Sequence, residues 1–194
     1  MKESILDSDK REIEEYTKLY PELRNAHHFV FNEIRPNDAN PVFVIMGINP
    51  GESAQPETPW TNRINDYVGG QPFVMTELFF WSSRNLEQFR ERFGVLENSP
   101  HLDFCIKKNK NLIHFHKPSA VICPGLSLIS PCTKMFDLAH ARTGRRTDGS
   151  RVYEIYTGDH ELPWIFTKHW TGARGFTNED KYLIKEAIQR EVSK

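Results

Sequence analysis

The segment from Val42 to Gly51 restricts the possible folds of this chain more than any other. Five apolar residues, Val42 to Met46, run without polar interruption into Gly47-Ile48-Asn49-Pro50-Gly51. A strand with one solvated face alternates apolar and polar residues, so this continuous run predicts a strand that is buried on both faces. The glycine, asparagine and proline residues that follow are typical of a turn. We therefore expect a parallel sheet covered by helices on both sides, with this strand at its centre.

The remaining sequence pattern extends this expectation to a complete domain. Short apolar runs bounded by turn residues predict further strands, at Phe73 to Phe80, Ala120 to Cys123, Val152 to Tyr156 and Trp164 to Lys168. Amphipathic stretches predict helices, at Asp9 to Arg24, Leu86 to Phe93, Leu102 to His116, Ser130 to Ala141 and Asn178 to Val192. Strands that alternate with helices are typical of α/β proteins. We predict a three-layer α/β/α fold around a central, mostly parallel four-stranded sheet.

Length and composition fit one domain without a membrane segment. The chain has 194 residues, 38% of them hydrophobic, which suffices for one core. We predict a single domain over residues 1–194, with residues 1–40 as a helical N-terminal extension. The charged start and the lack of a long apolar run predict a cytoplasmic protein with no membrane contact. The three cysteines form no CxxC pair, which argues against a disulfide framework and a closed zinc site. We expect neither a metal nor an organic cofactor.

Two loops follow predicted strands and carry residues suited to chemistry. Ligands in such folds bind beyond the carboxyl ends of the strands. In Gly47 to Gly51, the glycines allow close approach of a ligand, and successive N–H groups can bind an anion. In Thr167 to Phe176, His169 can donate a hydrogen bond to a developing negative charge, and Arg174 can meet a phosphate. A plain turn and an ordinary loop histidine are the alternative interpretations.

These two loops, together with Lys117 to Gly125 between them, resemble the uracil-DNA glycosylase superfamily, in particular its branches with a GxNPG first motif. The resemblance implies a uracil-DNA glycosylase-like fold and excision of uracil or a related damaged or modified base from DNA. It implies that Asn49 positions the attacking water and that His169 stabilises the departing base. We expect a monofunctional enzyme, because no lysine occupies either catalytic position.

The resemblance also implies a base-binding pocket. Residues around the first motif line it: Gly47, Ile48, Pro50 and Gly51. A flipped base can stack on an aromatic ring. Trp60 lies close to the expected place of that ring, and Phe73 and Tyr67 are the alternatives.

Three positions depart from the family pattern. Trp170 and Thr171 replace the proline and serine that follow the histidine, and Glu77 replaces an asparagine that reads the uracil edge. An ionised glutamate only accepts hydrogen bonds, so we expect Glu77 to favour a base edge rich in N–H groups. These departures also permit a second hypothesis, a catalytically silent module of the same fold that binds nucleic acid or a nucleotide.

The charge is distributed unevenly along the chain. The net charge is −1, but residues 105–151 contain nine basic and two acidic residues, a net charge of +7. Such a segment can form a local phosphate-binding face. We predict contacts to single- or double-stranded DNA by a monomer, through Arg145, Arg146, Thr171, Gly172 and Arg174.

Overall fold

A computed structural model describes residues 5–26, 32–34, 41–48, 59–84, 86–170 and 175–193. These residues contain seven strands: β1 (Asn32–Ile34), β2 (Phe43–Gly47), β3 (Phe73–Glu77), β4 (Ala120–Pro124), β5 (Ala139–Arg145), β6 (Arg151–Thr157) and β7 (Pro163–Thr167). They also contain six α-helices: α1 (Ile5–Leu19), α2 (Pro59–Val68), α3 (Leu86–Phe93), α4 (Leu102–His116), α5 (Ile129–Met135) and α6 (Asn178–Val192). A short 3₁₀ turn, Asp159–Glu161, precedes β7.

The strands form one mixed sheet in the order β1-β3-β2-β4-β7-β6-β5. The central strands β3, β2, β4 and β7 are parallel to one another. β1 is antiparallel to β3 at one edge, and β6 and β5 form an antiparallel hairpin beside β7 at the other. The α/β class is confirmed. The prediction of four strands is wrong, because antiparallel strands extend the parallel centre at both edges.

The alternation of side chains along the central strands creates two separate cores. Val44 and Met46 point to one face of the sheet, where α1, α3, α4 and α5 pack. Phe43 and Ile45 point to the other face, where α2 and α6 pack. Helices therefore cover the sheet on both sides, as a doubly buried strand of five residues requires. Because β2 and β4 are buried almost throughout, neither face of the central sheet meets water.

Helix α1 belongs to the core. Ile13 has no exposed surface and packs in one cluster with Leu23, which follows the helix, and with Phe80 of the central region. The Lys108 ammonium of α4 binds the Asp9 carboxylate at 2.7 Å, and the side chains of both residues are almost completely buried. The predicted N-terminal extension is therefore, in its described part, an integral layer of the domain.

Several regions differ from the predicted elements: α1 ends at Leu19 and β3 at Glu77, earlier than predicted, and strand β1 was not predicted. The helix predicted over Ser130 to Ala141 ends at Met135, and the chain enters β5 at Ala139. Asp137, with a φ of 53°, turns the chain between the two elements. The expected elements also omit helix α2, although its apolar residues Trp60, Ile64, Tyr67 and Val68 recur at helical spacing. None of the helices in the described part of the chain is long and apolar enough to cross a membrane.

Strand β5 is the outermost strand at its side of the sheet. Its pairing with β6 shifts register between His140 and Arg142 and again between Gly144 and Arg145. Its first three residues are exposed. The strand is therefore irregular and solvated along its outer side.

Candidate functional site

The strand order marks the carboxyl end of the parallel sheet as the expected ligand-binding edge. From β2 the chain continues to β3 on one side, and the next strand, β4, lies on the other side of β2. Ligands of open α/β sheets bind where the order reverses in this way, beyond the carboxyl ends of the strands. Gly47 and Glu77 are the last residues of β2 and β3 and lie opposite each other.

Gly47 makes room for the Glu77 carboxyl group. A Cβ atom at Gly47 would collide with Oε2 of Glu77, so a larger residue at this position would displace the carboxyl group. By the alternation of β2 and β3, both positions face the same side of the sheet as Phe43 and Phe73, which is the side of α2 and α6. The carboxyl group thus lies at the carboxyl edge of the sheet on the α2/α6 face.

Hydrogen bonds fix the backbone around Glu77. Asn109 of α4 donates from Nδ2 to the Glu77 carbonyl oxygen at 2.9 Å, and Thr76 donates from Oγ1 to Asn109 Oδ1 at 2.6 Å. The Leu78 N–H donates to the Gly47 carbonyl at 2.8 Å, which continues the pairing of β2 and β3 past their ends. The main chain is therefore held rigidly where the side chain projects.

The Glu77 carboxyl group is mostly neutral at pH 7. Its Oε2 is buried and has no hydrogen-bond partner among the described residues. Burial raises the pKa of Glu77 to about 8, because an unpaired charge in an apolar site loses its hydration. The raised pKa favours a protonated carboxyl group over the expected ionised acceptor, and a protonated carboxyl group both donates and accepts hydrogen bonds.

A stack of aromatic rings lies on the same face. The Trp60 and His169 rings stack with centroids 5.7 Å apart and an interplanar angle of 13°. Next to them, Trp170 stacks on Tyr67 at 4.2 Å and is 3% exposed. Arg63 of α2 donates from Nη1 to the Trp170 carbonyl at 2.6 Å. Helix α2 thus orients the segment that carries His169 through both ring contacts and a charged hydrogen bond.

His169 follows β7 by two residues and keeps an exposed surface. Partial burial, and secondly the positive charge of Arg63, lower the pKa of His169. The lowered pKa favours the neutral imidazole at pH 7, and a neutral imidazole carries one ring N–H donor. Lowering the pKa also makes the charged form unfavourable, which suits a group that acts as a neutral donor.

The alternative stacking rings are part of the core. Phe73 has no exposed surface and pairs with Phe43 at the amino end of β3, away from the crevice. Tyr67 is 4% exposed and stacks against Trp170. The stacking role expected for Phe73 does not fit this position, and Trp60, which is partly exposed, is the ring that reaches the edge of the site.

Several predicted site residues lie outside the described residues: Asn49, Pro50, Gly51, Thr171, Gly172 and Arg174. Ile48, directly before them, packs with its side chain toward the α1/α4 face, and its carbonyl accepts from the Phe79 N–H at 3.0 Å. Ile48 thus contributes to the junction of β2 and β3, on the opposite face from the Glu77 carboxyl group.

The two predicted arginines of the β5–β6 hairpin have different environments. The hairpin tip lies at the carboxyl edge, because Tyr153 pairs with Thr167 and the Lys168 N–H donates to the Val152 carbonyl at 2.9 Å. Arg145 is exposed there and donates to the Gly149 carbonyl. Arg146 is mostly buried, with Nε 3.4 Å from the buried Asp180 carboxylate, so its charge is neutralised within the fold.

Sequence reasoning did not identify Asn109 or Arg63. Asn109 interrupts the buried stripe of α4 between Cys105 and Leu112, and a fully buried amide in such a stripe is a usable signal. Arg63 lies on helix α2, and the apolar stripe of Trp60, Ile64 and Tyr67 is the signal that could have located that helix.

A cavity of about 790 Å³ lies at the other edge of the sheet. It is lined by residues near the amino ends of β4 and β7, among them Lys117, Ser119 and Pro163. Volume alone does not make it the reaction site, because the crevice at the strand reversal lies at the opposite edge. Among the described residues, no group of three or more histidines, cysteines or acidic residues is arranged to hold a metal ion.

None of the known protein-family models matches this chain, and no curated protein matches it. One matching solved structure is a domain of unknown function (DUF1537) from Bordetella bronchiseptica, with bound citrate, in a domain-swapped dimer. The two are 15% identical with a TM-score of 0.35, and the match covers 77% of this chain and 41% of that one. A likeness of this degree transfers neither ligand nor function.

Proposed function

We propose that this protein is a monofunctional DNA glycosylase that hydrolyses the N-glycosidic bond of uracil or a related base. One observation supports this most strongly. On one face of the carboxyl edge, a neutral carboxyl group without a partner in the described chain faces the same side as a stacked Trp60–His169 pair. A flat heterocycle with polar edges needs such a combination of stacking and hydrogen bonding.

The reaction requires positioning and charge stabilisation more than strong acid or base catalysis. The C1′–N bond breaks through an oxocarbenium-like state, the base leaves with the bonding electrons, and water adds to C1′ and releases a proton. In the proposal, Asn49 orients this water, and neutral His169 donates a hydrogen bond to the oxygen of the departing base. The lowered pKa of His169 supports this donor role.

DNA is the proposed partner, and the base must leave the helix stack to reach the crevice. Trp60 then offers a ring next to His169. Arg145 at the exposed hairpin tip supplies a positive charge at the same edge of the sheet. Thr171, Gly172 and Arg174 complete the proposed phosphate-binding loop.

The test is release of free base from single- and double-stranded oligonucleotides that contain uracil, hypoxanthine, xanthine or hydroxymethyluracil. We expect release by the unaltered protein and a loss of at least about a hundredfold in Asn49→Ala and His169→Ala. Lys110→Ala, on the opposite edge, is the control and should keep full activity.

Release of no base from any substrate, with DNA binding retained, would support the silent binding module instead. Of the three positions that permit that alternative, Trp170 does not obstruct the expected ligand-binding edge. Trp170 is packed in the core on Tyr67, so its indole does not fill the crevice in place of the family's proline.

A further inference from the structure

A buried oxygen atom without a partner among the described residues lies at the carboxyl edge of the sheet, at the end of β3. Oε2 of Glu77 has almost no exposed surface and, within the described part of the chain, accepts and donates no hydrogen bond. Leaving a buried polar group unpaired costs about 1–3 kcal/mol, so native proteins rarely keep one without a reason. A ligand that completes these hydrogen bonds is such a reason.

The surroundings of this carboxyl group favour its neutral form. Its neighbour across the strands is Gly47, which has no side chain, and the group that reaches the Glu77 backbone from α4 is the uncharged amide of Asn109. At the same edge of the sheet, the described chain has the ion pairs Lys168–Asp180 and Arg146–Asp180, and neither includes Glu77. A neutral carboxyl group presents one O–H donor beside one C=O acceptor, the same pair that an amide offers.

Resting on the proposed function, we infer that Glu77 determines base specificity: as a neutral acid it donates one hydrogen bond to the base edge and accepts one from it. The ligand class is a heterocyclic base with a hydrogen-bond donor directly beside an acceptor, as in the N3–H and adjacent carbonyl oxygens of uracil. An ionised carboxylate has acceptors only and would require two donors.

Two variants separate these charge states. Glu77→Gln keeps a donor and an acceptor in the same place, whereas Glu77→Leu has a similar size and neither. If the neutral acid contacts the base, the Gln variant should bind the base and the Leu variant should not. If the ionised form contacts the base, both variants should lose binding to the same extent.

Two ligands test the same point without any substitution. In 1-methyluracil the methyl group occupies the position of the sugar and leaves the N3–H edge intact. In 3-methyluracil the donor of that edge is blocked. Both have the same size and hydrophobic surface, so they differ only in the edge that Glu77 is inferred to read.

The experiment is titration of the full chain with uracil, 1-methyluracil and 3-methyluracil at about pH 6.5, below the raised pKa, followed by NMR or calorimetry. We expect 3-methyluracil to bind at least about tenfold more weakly than 1-methyluracil, as for loss of a buried hydrogen bond. We expect Glu77→Gln to stay within about threefold of the unaltered protein and Glu77→Leu to lose at least about tenfold. Thermal unfolding of both variants establishes that they are folded.

Equal binding of the two methyluracils, equal losses in the Gln and Leu variants, or no binding of uracil would each overturn the inference. These outcomes are independent of catalysis, because no glycosidic bond is broken. A protein that discriminates the two ligands but releases no base from DNA retains this inference and loses the proposed activity. A protein that releases base but does not discriminate them retains the proposed activity and loses this inference.

Discussion

At the scale of single residues, the contact between Gly47 and Glu77 is the central feature of the crevice. The two residues face each other across β2 and β3, and the carboxyl group occupies the space that a side chain at Gly47 would need. The sequence pattern places both residues at strand ends and suggests a role in base reading. It does not predict the charge of Glu77, because that charge depends on burial by residues distant along the chain.

Glu77 makes the stability of the protein depend on pH. The pKa of Glu77 is raised from 4.5 to about 8 in the folded state, so its contribution is fully present below pH 4.5 and is lost as the pH rises toward 8. The glutamine in Glu77→Gln cannot ionise, so the variant does not lose stability at this position as the pH rises. We expect the variant to match the unaltered protein at about pH 4 and to exceed it by about 2–4 kcal/mol at about pH 8.

Urea unfolding of both proteins at several pH values measures this difference. Other titrating groups affect both proteins equally and cancel in the comparison. A difference in unfolding free energy that stays constant from about pH 4 to about pH 8 would contradict the raised pKa.

Substitution of Gly47 tests the close approach. Gly47→Ala places a Cβ against the Glu77 carboxyl group, and we expect a loss of about 1–3 kcal/mol from overpacking. In a Glu77→Ala background the obstacle is absent, so the same substitution should be nearly neutral. The unfolding free energies of the unaltered protein, the two single variants and the double variant form a double-mutant cycle, which measures the coupling between the two positions. Additive losses would show that the two side chains do not compete for space.

At the scale of elements, α1 is anchored to α4 by a buried charge pair. Lys108 donates to Asp9 at 2.7 Å and to Glu12 at 2.5 Å, and the Lys108 side chain is 4% exposed. Trp81 adds a hydrogen bond from Nε1 to Thr17 Oγ1 of the same helix at 2.9 Å. Buried charges of this kind specify how one helix docks on another more than they add stability.

Removal of the lysine should therefore be more harmful than removal of the pair. We expect Lys108→Met to lose about 3–5 kcal/mol, because Asp9 is left buried and unpaired. Adding Asp9→Leu should restore most of this loss. Lys107→Met, at an exposed neighbouring position, is the control and should change stability little. The readout is the unfolding free energy, and a double variant as unstable as Lys108→Met would contradict the expectation.

The elements show where sequence patterns suffice. Helix α4 and helix α6 have the predicted bounds, Leu102–His116 and Asn178–Val192, and apolar residues recur at helical spacing along each of them. Thr177 caps the start of α6 and forms a capping box with Asp180. The sequence pattern predicts helix where strand β5 begins, since an exposed edge strand has few buried side chains to impose a period of two.

At the scale of the whole molecule, ion pairs absorb much of the positive charge that the sequence concentrates in residues 105–151. Four of its nine basic residues are paired in the described chain: Lys108 with Asp9, Arg142 with Glu191, Arg146 with Asp180, and Arg151 with Glu154. The partners come mostly from the two terminal helices. A local charge count therefore overestimates the phosphate-binding face, because the acids that neutralise it are far away in sequence.

Arg145 should still contribute to DNA binding. We expect Arg145→Glu to weaken binding of a short duplex several-fold. The slope of the logarithm of the binding constant against the logarithm of the salt concentration should become shallower by about one. Lys110→Glu makes the same charge change at the opposite edge of the sheet and should have a smaller effect. Fluorescence anisotropy at several salt concentrations measures both. Equal losses in the two variants would indicate attraction by net charge without a defined face.

The irregular outer strand β5 has a consequence for association between molecules. A long, regular edge strand offers unpaired N–H and C=O groups to a strand of another chain. In β5, two register shifts, together with His140 and the basic residues Arg142 and Arg145, interrupt that row of groups. A second copy docking there would have to bring like charges together and skip hydrogen bonds. Strand exchange and fibril growth are therefore disfavoured at this side of the sheet.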